Sequence, residues 1–121
     1  MNISTPFIIE THGLSKTYKK VQALRSLNLK VQQNSIFGFL GLNGAGKTTT
    51  IKLMLGLIRP TAGSATIFGM DAIRQSVDIR ARVGYLPQEP HFYEYMTARQ
   101  TLRFVASCFF KSDLIPDEVQ T

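Results

Sequence analysis

Leu27, Leu29 and Val31 alternate with Asn28 and Lys30, the two-residue period of a strand with one buried face. Upstream, residues 7–10 form a short β-like run that Gly13 is expected to break, followed by a mixed polar and apolar stretch over 14–18. A turn cluster, Gln33-Asn34-Ser35, precedes Ile36-Phe37-Gly38-Phe39-Leu40. That continuous apolar run predicts a fully buried parallel strand. From Lys47 the period lengthens. Ile51, Met54, Leu55 and Ile58 fall on one helical stripe, and Arg59-Pro60-Thr61-Ala62-Gly63 is expected to stop that helix. Short strands are predicted over 65–68 and 83–86, with a short helix over 77–81 between them. Residues 88–96 read as a loop. Thr97 then reads as an N-cap, with Gln100 completing a capping box, and Leu102, Val105, Ala106 and Phe109 form an apolar stripe. Pro116-Asp117-Glu118 looks like the first turn of another helix.

Composition narrows the class. A chain of 121 residues, 44% hydrophobic and 18% charged, is globular and long enough for one domain with a core. No apolar run approaches the roughly 20 residues of a membrane helix. The first ten residues carry no basic region ahead of their apolar ones, so a secretory signal is not expected. Cys108, the single cysteine, cannot pair within the chain and is expected to be a small core residue. A cytosolic location is the default. The net charge of +6 is uneven: residues 1–60 hold eight bases and one acid, residues 61–121 six bases and seven acids. Such a basic half suits a nucleic acid, an anionic membrane face or a phosphate ligand, and equally a solvated face of ordinary lysines.

A motif decides between these. Gly41-Leu42-Asn43-Gly44-Ala45-Gly46-Lys47-Thr48 matches the phosphate-loop pattern in full. Wrapping phosphates in backbone N–H groups requires conformations that glycines permit. The helix that follows points its free N–H groups and partial positive charge at the ligand. Lys47 can reach the β- and γ-phosphates, the Thr48 hydroxyl can ligate Mg²⁺, and Thr49 can meet the α-phosphate. The ligand expected for the basic half is therefore a nucleoside triphosphate.

Further stretches narrow the family. Leu14-Ser15-Lys16-Thr17-Tyr18 lies ahead of the loop. Leu55-Gly56-Leu57-Ile58-Arg59-Pro60-Thr61-Ala62-Gly63, Gly84-Tyr85-Leu86-Pro87-Gln88 and Met96-Thr97-Ala98-Arg99-Gln100-Thr101-Leu102 follow it. In this order, over residues 8–110, the chain resembles the nucleotide-binding domain of ATP-binding cassette (ABC) transporters. Residues 86–90 followed by Tyr93 are similar to cassettes of the drug-efflux type. The resemblance implies an α/β fold, a P-loop NTPase core with an antiparallel β subdomain, and residues 1–121 as one partial ATP-binding domain whose helical subdomain begins near residue 97. It implies ATP and Mg²⁺ as ligands. Tyr18 would stack on adenine, although a strand-end tyrosine also suits plain surface packing. Gln88 would be the Q-loop residue touching Mg²⁺ and the site of the attacking water, and with Lys47 it would be catalytic. The implied partners are a transmembrane subunit, for which Phe92, Tyr93 and Tyr95 are a candidate contact, and a second nucleotide-binding domain. Those aromatics would equally pack under the helix that starts at Thr97.

The resemblance places the chain in the cytoplasm, at the inner face of the cell membrane through its partner, with no direct nucleic-acid contact expected. The sequence carries no LSGGQ-like signature, no apolar strand ending in a metal-binding Asp, no neighbouring catalytic Glu and no switch His. It therefore reads as the front portion of a longer protein, one that binds ATP without turning it over alone. Two alternatives stand beside the transporter: an ABC-type ATPase head acting on nucleic acid, and a non-catalytic nucleotide-binding remnant.

Overall fold

The computed structural model describes residues 6–109. The chain divides into two compact units, Met1–Val83 and Gly84–Thr121. In the first, β1 (Phe7–Tyr18) and β2 (Val21–Gln32) form a long antiparallel hairpin closed by Lys19 and Lys20. Strand β3 (Ala62–Ile67) pairs with the other edge of β1, and the short β4 (Met70–Asp71) pairs with β3, giving the order β2-β1-β3-β4. Helix α1 (Lys47–Met54) lies between β2 and β3 in sequence, and α2 (Ser76–Arg80) follows β4.

Gly13 does not end β1 as the sequence suggests. At φ +57 it sits in a bulge, where the register steps from Thr11↔Leu29 to Leu14↔Leu27. A bulge interrupts the ladder, and side chains take over its lost bonds. The buried Thr11 donates its hydroxyl to the Leu27 carbonyl at 2.9 Å and accepts from the Leu29 N–H at 2.9 Å. The Gly13 N–H donates to Asn28 Oδ1 at 2.8 Å. Ser15 Oγ donates to the Gly13 carbonyl at 3.0 Å and accepts from the Ser26 N–H at 2.8 Å.

The core of this unit joins Leu14 and Leu24 of the hairpin to Ala65 and Ile67 of β3, Leu53 of α1, and Ala72 and Ile79 beyond β4. Each fully buried leucine or isoleucine here contributes about 1.5–3 kcal/mol relative to an exposed one. Helix α1 stops earlier than its apolar stripe predicts. Gly56, at φ +67, ends it in a Schellman motif: the Gly56 N–H donates to the Leu53 carbonyl at 3.1 Å and the Leu57 N–H to the Lys52 carbonyl at 2.9 Å. A side chain at Gly56 would meet the Ala72 carbonyl oxygen at 2.7 Å. Arg80 of α2 donates to the Leu55 carbonyl at 2.9 Å, covering another end-of-helix acceptor.

Two predicted strands are not strands here. Residues 36–40 run as irregular chain, with Ile36 and Leu40 fully exposed, and residues 83–86 do the same, with Leu86 exposed. A buried parallel strand needs ladder partners and covered faces. Among the described residues every strand pairing belongs to the antiparallel sheet of β1 to β4, and neither run takes part in one.

In the second unit, α3 (Ala98–Phe109) starts with the predicted capping box. The Gln100 N–H donates to Thr97 Oγ1 at 3.2 Å, and the Thr97 N–H donates to Gln100 Oε1 at 2.8 Å. No residue of α3 is fully buried, and Cys108 is exposed rather than in a core, lying outside the apolar stripe of Leu102, Val105, Ala106 and Phe109. The turn expected at 116–118 lies outside the described residues.

Candidate functional site

The glycine-rich loop is held to the hairpin at its last glycine. Gly46 is the N-cap of α1 at φ +94, a left-handed conformation that costs other residues about 1–2 kcal/mol. Its packing excludes a side chain independently, since a β-carbon there would lie 2.6 Å from the Ala23 carbonyl oxygen and 3.2 Å from Leu24 Cδ1. Within the loop the Ala45 N–H donates to the Leu42 carbonyl at 3.0 Å. Behind it Thr50, fully buried, donates both its N–H, at 2.9 Å, and its hydroxyl, at 2.7 Å, to the Gly46 carbonyl. The turn and the helix start are thereby fixed together.

Ahead of that first helical bond come the N–H groups of Lys47, Thr48 and Thr49, which have no intrahelical acceptor. No acidic residue lies in the first turn of α1, so the helix's positive end is not neutralised from within. The Lys47 side chain turns back over the loop and donates to the carbonyls of Gly41 and, at 2.9 Å, Leu42. Residues 41–45 and Thr48 are exposed, and Gly46, Lys47 and Thr49 are half-buried. This arrangement gathers donors: the amides at the start of α1, one ammonium and the positive end of a helix. It fits a multiply charged anion. Among the described residues no cluster of three or more His, Cys, Asp or Glu could hold a metal ion. A hard cation here would take the Thr48 hydroxyl and oxygens brought by the anion itself, as Mg²⁺ does with phosphates.

Tyr18 ends β1 with its ring exposed and the Lys16 ammonium 4.9 Å from the ring centroid. It pairs with Val21, two residues before the Ala23 carbonyl that abuts Gly46. The hairpin end bearing Tyr18 is thus the end on which the phosphate loop rests. Gln88 belongs to the second unit, exposed in the irregular segment before α3. In that unit Tyr93 lies edge-on to Phe104 of α3, ring centroids 6.0 Å apart, and 5.4 Å from Tyr95. Phe92, Tyr93 and Tyr95 remain largely exposed. Tyr93 therefore packs on α3 while keeping a free face.

Three contributors are not singled out by the sequence pattern: Ala23, Thr50 and Lys16. Ala23 acts through its backbone, which no residue type reports. The signal for Thr50 is its place four residues after Gly46, where a hydroxyl can reach the cap carbonyl. That for Lys16 is its place two residues before Tyr18, on the same face of a strand.

The family model described as ABC transporter matches residues 24–120. The chain is 46% identical over 95 residues to the bacitracin transport ATP-binding protein BcrA of Bacillus licheniformis, covering 78% of this chain and 31% of that protein. It is 40% identical over 102 residues to the probable multidrug ABC transporter ATP-binding protein YbhF of Escherichia coli, covering 84% of this chain and 18% of that one. The chain thus spans about a third or less of these relatives. Among solved structures, an ATP-binding subunit of an ABC transporter superposes with a TM-score of 0.77 at 32% identity, over 88% of this chain and 44% of that one. A dimeric ATP-binding cassette bound to ADP and Pi gives 0.78 at 19% identity, over 93% and 52%, a likeness of fold alone. The antiparallel sheet and helices of the first unit correspond to the front of the cassette fold, and the chain, with its phosphate loop at 41–48, belongs to the ABC transporter family.

Proposed function

We propose that this chain binds ATP with Mg²⁺ at residues 41–49 and belongs to the ATP-binding subunit of a membrane transporter, which couples ATP binding and hydrolysis to transport. The observation that carries this is the convergence of Lys47 and the acid-free N-terminus of α1 on one loop, docked through Gly46 against Ala23. The loop amides and Lys47 take the triphosphate, the Thr48 hydroxyl takes the metal, and Tyr18 offers a ring to the base. Gln88 supplies an amide able to contact both a metal and a water. Relatives named for bacitracin and for multidrug transport support a cargo of that kind. Among the described residues no helix is long and apolar enough to cross a membrane. A transmembrane subunit is therefore the proposed route to the membrane, with the exposed Phe92, Tyr93 and Tyr95 as its candidate contact and a second nucleotide-binding domain as the other partner.

The test is calorimetric titration of the chain with ATP, with and without Mg²⁺, beside Lys47→Ala. Removing the ammonium is expected to weaken ATP binding at least about tenfold, the scale of a charge-assisted contact of 1.5–3 kcal/mol. Equal affinity in the two proteins would overturn the assignment.

A further inference from the structure

Lys16 is a lysine with a fixed address. Its ammonium donates to the Arg59 carbonyl at 2.6 Å and lies 4.9 Å from the centroid of the Tyr18 ring. Both contacts follow from the backbone. Residues 16 and 18 share a face of β1. The segment after α1 is itself bonded to that strand, the Thr61 N–H to the Ser15 carbonyl at 2.9 Å and the Thr17 N–H to Thr61 Oγ1 at 3.0 Å. Arg59 is thereby held where its carbonyl can anchor the ammonium. An aromatic ring attracts a cation to its negative face. With the ammonium tethered, the ring loses freedom about its side-chain torsions, and one of its two faces is taken.

We propose that Lys16 is a positioning residue for nucleotide recognition: anchored on the Arg59 carbonyl, it holds the Tyr18 ring from one side and leaves the other face set to stack on a purine base. This rests on the reading that Tyr18 receives the base. The Lys16 ammonium contacts the Tyr18 ring and the Arg59 carbonyl and lies outside the loop at 41–48, so its effect is expected to depend on the ligand having a base. It also links the base to the segment that follows α1, the helix whose N-terminus would meet the triphosphate.

The experiment compares ATP with inorganic tripolyphosphate, both with Mg²⁺, in calorimetric titrations of the 121-residue chain and of Lys16→Met, Lys16→Arg and Tyr18→Ala. Lys16→Met is expected to weaken ATP about fivefold, the scale of an exposed cation–π contact, with tripolyphosphate affinity unchanged. Lys16→Arg, which keeps a cation and a donor, is expected to restore most of the ATP affinity. In a chain carrying ¹³C-labelled tyrosine, the Tyr18 ring resonance is expected to shift in Lys16→Met and return in Lys16→Arg. If Lys16→Met proves too unstable to titrate, Lys16→Gln removes the charge and keeps a donor for Arg59, and the same loss confined to ATP is expected. An equal loss for both ligands, or unchanged ATP affinity, would overturn the proposal. If Tyr18→Ala leaves ATP affinity unchanged, the stacking reading itself fails and the proposal falls with it.

Discussion

Gly46 and Ala23 approach so closely that a β-carbon on the glycine would stand 2.6 Å from the alanine carbonyl oxygen. Backbone meets backbone here, so no rotamer change relieves the contact. The same residue is the N-cap of α1 at φ +94. Substituting it combines torsional strain of about 1–2 kcal/mol with displacement of the loop from β2.

Gly46→Ala is accordingly expected to lower Tm and to weaken ATP binding more than tenfold. Gly44→Ala is the control. Gly44 also has positive φ, at +87, but a β-carbon there meets nothing within 4 Å, so only strain of about 1–2 kcal/mol applies. Thermal melts and ATP titrations of the two variants separate docking from strain. Equal losses in both would show that the Ala23 contact contributes nothing.

How much of this was legible in the sequence depends on what each feature rests on. The glycine turn ending at Gly46 and the helix start at Lys47 were legible because their residue types are dictated locally by the geometry of a helix N-terminus. The capping box at Thr97 and Gln100 was legible for the same reason, both partners lying within one turn. The apolar runs at 36–40 and 83–86 misled because apolar character reports a demand for burial, not the ladder partners a strand requires. Gly13 misled in the opposite sense: a glycine reads as a stop, yet Thr11, Asn28 and Ser15 carry the strand through it. Gly56 was hidden inside an apolar stripe that continues to Ile58, and only its left-handed φ reveals the helix end. The contact of Ala23 with Gly46 and the anchor of Lys16 on Arg59 are backbone-mediated, and side-chain identities do not announce them.

The helix α3 draws little support from burial, since none of its residues is fully buried. Its start should therefore depend strongly on the cap. Thr97→Ala removes the hydroxyl that accepts from the Gln100 N–H at 3.2 Å, a change that typically costs about 1 kcal/mol. Hydrogen exchange of the first amides of α3 is expected to speed up about fivefold, with amides in β1 unaffected. Thr97→Ser should exchange nearly as the wild type. Unchanged protection in Thr97→Ala would mean that tertiary contacts, not the cap, set this helix start.

Asp71 closes β4 by accepting from the N–H groups of Arg74 and Ile73, each at 2.9 Å. The bond from the Arg74 backbone is the largest influence on its carboxyl. Partial burial opposes it, while the Ile73 N–H and the Arg74 charge add to it, and the net result is a pKa below the ordinary 3.8. A carboxyl depressed in the folded state stabilises the fold wherever it is ionised in both states, and that contribution is lost as pH falls through the folded value. Wild type should exceed Asp71→Ala in stability by a constant margin from neutral pH to about 5, and the margin should shrink below about 4. Urea titrations at pH 7, 5, 4 and 3 measure it. A margin independent of pH would show that packing around Asp71, not its charge, supplies the stability.

Binding a triphosphate is not the same as cleaving it. Phosphoryl transfer requires a positioned water and stabilisation of charge on both the attacking and the leaving oxygens. On the proposed reading, the groups gathered at the loop, the amides at the start of α1, the Lys47 ammonium and the Thr48 hydroxyl, would grip the ligand's oxygens. The first turn of α1 carries no acid, and none of the loop residues 41–48 is a carboxylate that could orient water. Relatives of which this chain covers 31% and 18% have a great deal of further sequence in which to place such groups. The 121-residue chain is therefore expected to bind ATP yet release phosphate no faster than Lys47→Ala, measured over hours at saturating ATP and Mg²⁺. Lys47-dependent release above that control would show that residues 1–121 already hold a complete hydrolytic site, and would direct the search for the water's partner to Gln88 and the neighbouring Glu89.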